Sequence, residues 1–109
     1  MWVSTAGAVS PLHFDASASF LSQVRGRKRM LFWSPEQLGA LYPYPDDHHL
    51  RRRLQASPTR PDYGRHPDFA RCAALEASLA PGDVVFFPGR WAHYTESVDL
   101  SISVTCRCR

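Results

Sequence analysis

Apolar residues in this chain recur in short runs, and most of the runs read as strands. The last run has the clearest period. Leu100, Ile102 and Val104 fall on one face of an extended segment, and Ser101, Ser103 and Thr105 on the other. Val84 to Phe87 is four consecutive apolar residues between Pro81-Gly82-Asp83 and Pro88-Gly89, the pattern of a buried strand between turns. Arg29 to Trp33 is aromatic-rich and stops at Ser34-Pro35, and Phe20 to Val24 precedes it across the turn RGRKR. Met1 to Thr5, Leu12 to Phe14 and Trp91 to Ser97 are further extended candidates, and Ala73 to Leu79 is a further regular segment. Helix signals are confined to Ser34-Pro35-Glu36, where a capping serine, a proline and an acid predict one or two turns through Leu38 and Leu41. Residues 41–69 obey neither period and hold five of the nine prolines and three of the five histidines, which predicts a long surface excursion. Short strands, frequent turns and one long loop predict an all-β fold, an antiparallel sandwich or barrel.

Composition narrows this picture only slightly. At 109 residues the chain is one domain (1–109), with 44% hydrophobic and 21% charged residues, as in ordinary globular proteins. The formal charge of +3 permits an acidic partner without requiring one. Three cysteines, Cys72, Cys106 and Cys108, make no disulfide framework and favour a reducing compartment, and the C-x-C pair has no second pair to complete a soft-metal site. The first residues lack the charged start and apolar run of a secretory signal, and no apolar stretch reaches membrane-spanning length. The expectation is a soluble intracellular protein, cytoplasmic or nuclear, with no membrane partner.

The candidate chemistry begins at His13-Phe14-Asp15, two polar residues on the same face of an extended segment. An H-x-D pair alone is equally well a wet surface pair. His93, just beyond PGDVVFFPGRW, supplies a third donor. Two imidazoles and one carboxylate on one face of an octahedral ion leave three positions open, which suits ferrous oxygen chemistry. The competing reading of His93 is a core histidine bonded to backbone. Lys28 leads into an aromatic strand between Arg27 and Arg29, so it either serves an anion or sits in a solvated turn. The hydroxyl face of Ser101, Ser103 and Thr105 offers donors for a carboxylate beside the metal. His48, His49 and His66 are expected to face solvent in the long loop, with His48 and His49 projecting apart. Arg51, Arg52 and Arg53 read as a solvated cluster, or as contacts for RNA phosphates or an acidic peptide.

The stretches SPLHFDASASFLSQVRGRKRMLFWSPEQLGALYPYP, PDYGRHPDF and LAPGDVVFFPGRWAHYTES, in that order, resemble the JmjC and cupin-type 2-oxoglutarate oxygenases. Within that family the layout is similar to the asparaginyl hydroxylase called factor inhibiting hypoxia-inducible factor and to the tRNA wybutosine hydroxylase group. The resemblance implies a double-stranded β-helix, the jelly roll of cupins. It implies that His13, Asp15 and His93 bind Fe(II), that Lys28 holds the distal carboxylate of 2-oxoglutarate, and that Ser10 hydrogen-bonds nearby. Ser19 and Thr105 stand where the family places asparagines near the co-substrate. The implied reaction consumes O2 and 2-oxoglutarate, releases succinate, and hydroxylates a protein side chain or, as the second choice, a tRNA base. Relatives carry further strands and a co-substrate tyrosine ahead of the segment matching Met1, so the chain is expected to be partial or a minimal variant, lacking N-terminal strands. That leaves a rival open, a non-catalytic cupin-like metal-binding or interaction module with a degenerate site. A zinc or manganese cupin is a third alternative, and the oligomeric state is not set by these features.

Overall fold

In the computed structural model, which describes residues 2–108, eight strands are divided between two sheets, and successive strands change sheet except at β4 and β5. They are β1 (Trp2–Ser4), β2 (Val9–His13), β3 (Ser19–Arg25), β4 (Lys28–Trp33), β5 (Leu75–Leu79), β6 (Val84–Phe87), β7 (Ala92–Ser97) and β8 (Ser101–Arg107). One sheet runs β1-β8-β3-β6 and the other β2-β7-β4-β5, and each paired neighbour is antiparallel. This is the predicted jelly roll, with strand ends within a few residues of those read from the sequence. Met1, taken as the start of the first strand, lies outside the described residues.

The two sheets are packed differently. Between them lie Leu21, Met30, Phe32, Leu79 and Phe87. A second cluster, which includes Leu12, Trp33, Leu41, Leu54, Phe69 and Tyr94, draws on residues of β2, β4 and β7, of two 3-10 helices and of the long loop. The sheet β2-β7-β4-β5 thus has apolar partners on both sides. Five of the six residues of β7 are buried, where a strand with one wet face would alternate. The first sheet keeps an outer face of half-exposed apolar side chains, Phe20, Val84, Phe86 and Val104 among them.

Several expectations change here. The Pro35 segment is a 3-10 helix, Pro35–Leu41, and it stops at Tyr42, whose φ of 60° lies in the left-handed region. The long loop contains a second 3-10 helix, Pro67–Arg71, and buries Leu54, Ala56 and Phe69, so it is a folded cover and not a surface excursion. A loop can lack periodicity and still be anchored by a few apolar residues spaced irregularly. His66 is buried against the Tyr42 ring, with centroids 4.6 Å apart, instead of facing solvent. His48 and His49 stack at 4.4 Å instead of diverging. On β8 the apolar face points outward, and Ser101 and Ser103 are completely buried. The three cysteines are free. No helix among the described residues is long and apolar enough to cross a membrane.

Candidate metal and co-substrate site

The site begins with an irregularity in β2. Val9 and Ser10 pair with Glu96 and Thr95, but His13 then pairs with His93, so β2 spends three steps where β7 spends two. The extra residue lies at Pro11-Leu12, where proline has no N–H to give a ladder. In an unbroken strand, Ser10 and His13 would face opposite sides. The bulge turns both toward the same cavity and sends Leu12 into the outer cluster. Asp15 follows directly. Its carbonyl accepts a 2.8 Å hydrogen bond from the Arg90 N–H. Gly89 lets that turn lie close, since a Cβ there would collide with the Ala16 carbonyl oxygen.

The side chains meet with defined hydrogen-bond roles. His13 Nδ1 lies 2.8 Å from the Pro11 carbonyl oxygen, and His93 Nδ1 lies 3.1 Å from that of Trp91. A carbonyl only accepts, so each Nδ1 carries a hydrogen, and the tautomer this selects for the neutral ring leaves the Nε2 lone pair free. Those Nε2 atoms stand 3.9 Å and 3.6 Å from Asp15 Oδ2. All three donors lie within 4.8 Å of one another. Burial, and secondly the neighbouring His13, lowers the His93 pKa to about 4, so its imidazole is neutral at ordinary pH. Two ligands at right angles on bonds of about 2.1 Å stand ~3 Å apart, so a modest contraction brings these donors round one ion. Two imidazoles with Nδ1 backed by carbonyls, and one carboxylate, are a donor set that fits ferrous iron.

A cavity of ≈ 190 Å³ opens beside these donors, and His13, Asp15, His93, Lys28, Ser10, Ser19 and Thr105, the residues the family resemblance implied, all line it. Ser10 and Thr95 pair on one sheet. Lys28, only 6% exposed, enters from the start of β4. Burial lowers its pKa, and it has no carboxylate partner among the described residues. Ser19 and Thr105 come from the facing sheet. Ser19 Oγ is buried with no hydrogen-bond partner among the described residues. A cationic nitrogen and an orphan hydroxyl on one cavity are what a bound carboxylate would satisfy, so 2-oxoglutarate fits the residues present. Met30 and Phe87 supply apolar wall, and the Phe87 ring lies 4.7 Å from that of His93.

Two of the three hydroxyls expected on β8 are spent elsewhere. Gln23 Nε2 donates to Ser101 Oγ at 2.8 Å, and Ser103 Oγ donates to Gln23 Oε1 at 2.7 Å. Only Thr105 of that row reaches the cavity. Sequence reading missed Thr95 and Arg107, whose guanidinium lies 3.9 Å from Asp15 Oδ1. A period-two signal was available for both: Thr95 is two residues from His93, and Arg107 two from Thr105.

Comparison with known proteins gives concordant results. Residues 1–106 match the family described as "Cupin-like domain". "Lysine-specific demethylase 8" of Danio rerio is 41% identical over 104 residues, 95% of this chain and 25% of that protein. "JmjC domain-containing protein D" of Dictyostelium discoideum is 30% identical over 103 residues, 94% of this chain and 23% of that protein. The X-ray structure of E. coli ycfD superposes with a TM-score of 0.63 at 19% identity, over 98% of this chain and 24% of that one. At that identity the likeness is one of fold. The chain thus spans about a quarter of the length of the curated relatives it matches.

Proposed function

The chain belongs to the cupin-like family of JmjC type, and from that premise we propose that its cavity is the centre of an Fe(II)- and 2-oxoglutarate-dependent dioxygenase that hydroxylates a protein side chain. One observation carries the reading. Three metal donors converge on the same small cavity as a buried lysine without a carboxylate and a buried hydroxyl without a partner.

When bound, iron and 2-oxoglutarate together supply oxygen activation, coupled to loss of CO2 and formation of succinate. The chain's own residues do the rest. His13, His93 and Asp15 would hold the ion. The carbonyls of Pro11 and Trp91 fix both rings in the tautomer that presents Nε2. Lys28 would take the distal carboxylate of the co-substrate, with the Ser19 hydroxyl donating to it. Ser10, Thr95 and Thr105 offer further hydroxyls around the same ligand. Phe87 and Met30 exclude water beside His93. A protein substrate is favoured over a tRNA base because relatives include a protein named as a lysine-specific demethylase. Hydroxylating an N-methyl carbon gives an amine and formaldehyde, whereas hydroxylating a side-chain carbon leaves a stable alcohol. Formaldehyde release therefore separates the two outcomes.

The test is spectroscopic. Anaerobic addition of Fe(II) and 2-oxoglutarate should give a weak visible charge-transfer band. The band should vanish in His13→Ala and Asp15→Ala, with a loss of metal affinity beyond the ~10–100-fold that supporting partners of a ligand contribute. Persistence of the band in both variants, or an absence of 2-oxoglutarate-dependent succinate with every substrate offered, would leave the binding-module reading in its place.

A further inference from the structure

Outside the cavity, sharing Trp2, Ser10, His13, Asp15 and Arg107 with it, lies a groove of ≈ 720 Å³. Its outer wall is Arg51, Arg52 and Arg53, all exposed. These three have no ion-pair partner among the described residues. Among the described residues Asp15 is the only acid lining the groove; Asp46 and Asp47 of the same loop line no part of it.

The arginines are held in place by their backbone. Arg53 bridges to His13, the Phe14 N–H donates to the Arg52 carbonyl at 2.9 Å, and the Leu54 N–H donates to the Leu12 carbonyl at 3.2 Å. Leu54 and Ala56, immediately after, are buried. The loop therefore forms a fixed strip beside β2 at the same place where the bulge presents His13. Three guanidinium groups carried on this fixed backbone beside the metal donors make a positive entrance, and anything reaching Asp15 from this side passes it.

From this placement we infer that the Arg51–Arg53 strip is a substrate-selecting surface, one that binds an acidic peptide segment flanking the residue to be oxidised. The inference rests on the oxygenase reading for what happens in the cavity, but not for the binding itself. Guanidinium groups take carboxylates through paired N–H donors, and they repel a lysine- or arginine-rich segment. The groove therefore opposes carrying a cationic substrate over from the similar demethylase. RNA is the weaker occupant. Base recognition in single strands needs aromatic platforms; of the aromatic rings that line the groove among the described residues, His13 is committed as a metal donor, which leaves Trp2 and His49.

The experiment reads binding without iron or co-substrate, by fluorescence anisotropy of three labelled probes. These are a short alternating glutamate–alanine peptide, its lysine–alanine counterpart, and a single-stranded RNA carrying the same number of charges. The glutamate peptide should bind, more weakly as salt rises, and the lysine peptide should not. Combined Arg51→Gln, Arg52→Gln and Arg53→Gln should weaken glutamate-peptide binding by about tenfold or more. Arg65→Gln with Arg71→Gln, away from the groove, should leave it unchanged. If the triple variant misfolds, single Arg51→Gln and Arg52→Gln variants still read the effect. Failure of the glutamate peptide to bind, unaltered binding in the groove variants, or tighter binding of RNA would each overturn the proposal. The charge-transfer band of the triple variant is independent of all these outcomes, so failure here and failure of the oxygenase reading are told apart.

Discussion

Two groups of polar side chains lie inside the same barrel, and they differ in whether their hydrogen bonds are used up. At one end Gln23 donates to Ser101 Oγ and to the Arg25 and Gly26 carbonyls, and accepts from Ser103. Every polar atom of that knot has a partner. Near the other, among the described residues, Lys28 lacks a carboxylate, Ser19 Oγ lacks any partner, and three metal donors face one another across a cavity. A folded chain can satisfy its interior polar groups by itself, as the first group does, so the unsatisfied group is the one built for something the chain does not contain. Burial alone would not separate the two, because Ser19 and Gln23 are equally inaccessible.

The sharpest way to break this contrast is to damage the closed knot. Gln23→Ala leaves Ser101 and Ser103 without their shared partner and opens a small void. The expected cost is about 3 kcal/mol of stability, measured by chemical denaturation. Fe(II) and 2-oxoglutarate should still bind to whatever fraction stays folded. Loss of the charge-transfer band in a fully folded Gln23→Ala protein would mean that the two groups are not separate.

The open group should behave in the opposite way. Lys28→Met replaces a buried ammonium by an apolar side chain of similar length, with an expected gain of about 1 kcal/mol in stability and a loss of roughly 10–100-fold in 2-oxoglutarate affinity. The sign of the pH dependence is fixed too. Burial lowers the Lys28 pKa from 10.5, so between the folded and unfolded values the unfolded chain binds more protons. The cost of the buried charge is fully present below the folded value and is relieved as pH rises toward 10.5. Stability of the native chain should therefore climb with pH across that window. Lys28→Met should lack this contribution, and bound 2-oxoglutarate should shift it toward higher pH.

Much of this was legible in the sequence, for identifiable reasons. Strand positions could be read because Pro-Gly turns and Ser34-Pro35 punctuate the runs, and neither signal needs tertiary context. The metal donors could be read because H-x-D and a later histidine form a recognisable set, strengthened by family resemblance. What could not be read was direction. The alternation in β8 says that two faces differ, but not which one is inside. Here the serines went inward because Gln23, nearly eighty positions away along the chain, needed them. The bulge at Pro11 was equally hidden, since it depends on the register with β7. The arginine strip was visible as a charge run, but its place beside His13 depends on a bridge between distant segments.

The smallest expected effect tests the orphan itself. Ser19 Oγ is buried and unpaired, so an alanine there removes a desolvated hydroxyl without removing a hydrogen bond. In the ligand-free chain Ser19→Ala should be neutral or stabilising by about 0.5 kcal/mol, where a buried serine that was fully bonded would lose ~1 kcal/mol. The same change should weaken 2-oxoglutarate binding by about tenfold, the worth of one modest hydrogen bond to a carboxylate. Ser103→Ala supplies the control, because its hydroxyl donates to Gln23, and its loss should reduce stability while leaving co-substrate affinity unchanged. Opposite signs for two buried serines on neighbouring strands would be hard to explain by packing, since both substitutions delete the same atom. Equal destabilisation in the two variants would mean that Ser19 has a partner in solution and is part of the closed interior after all.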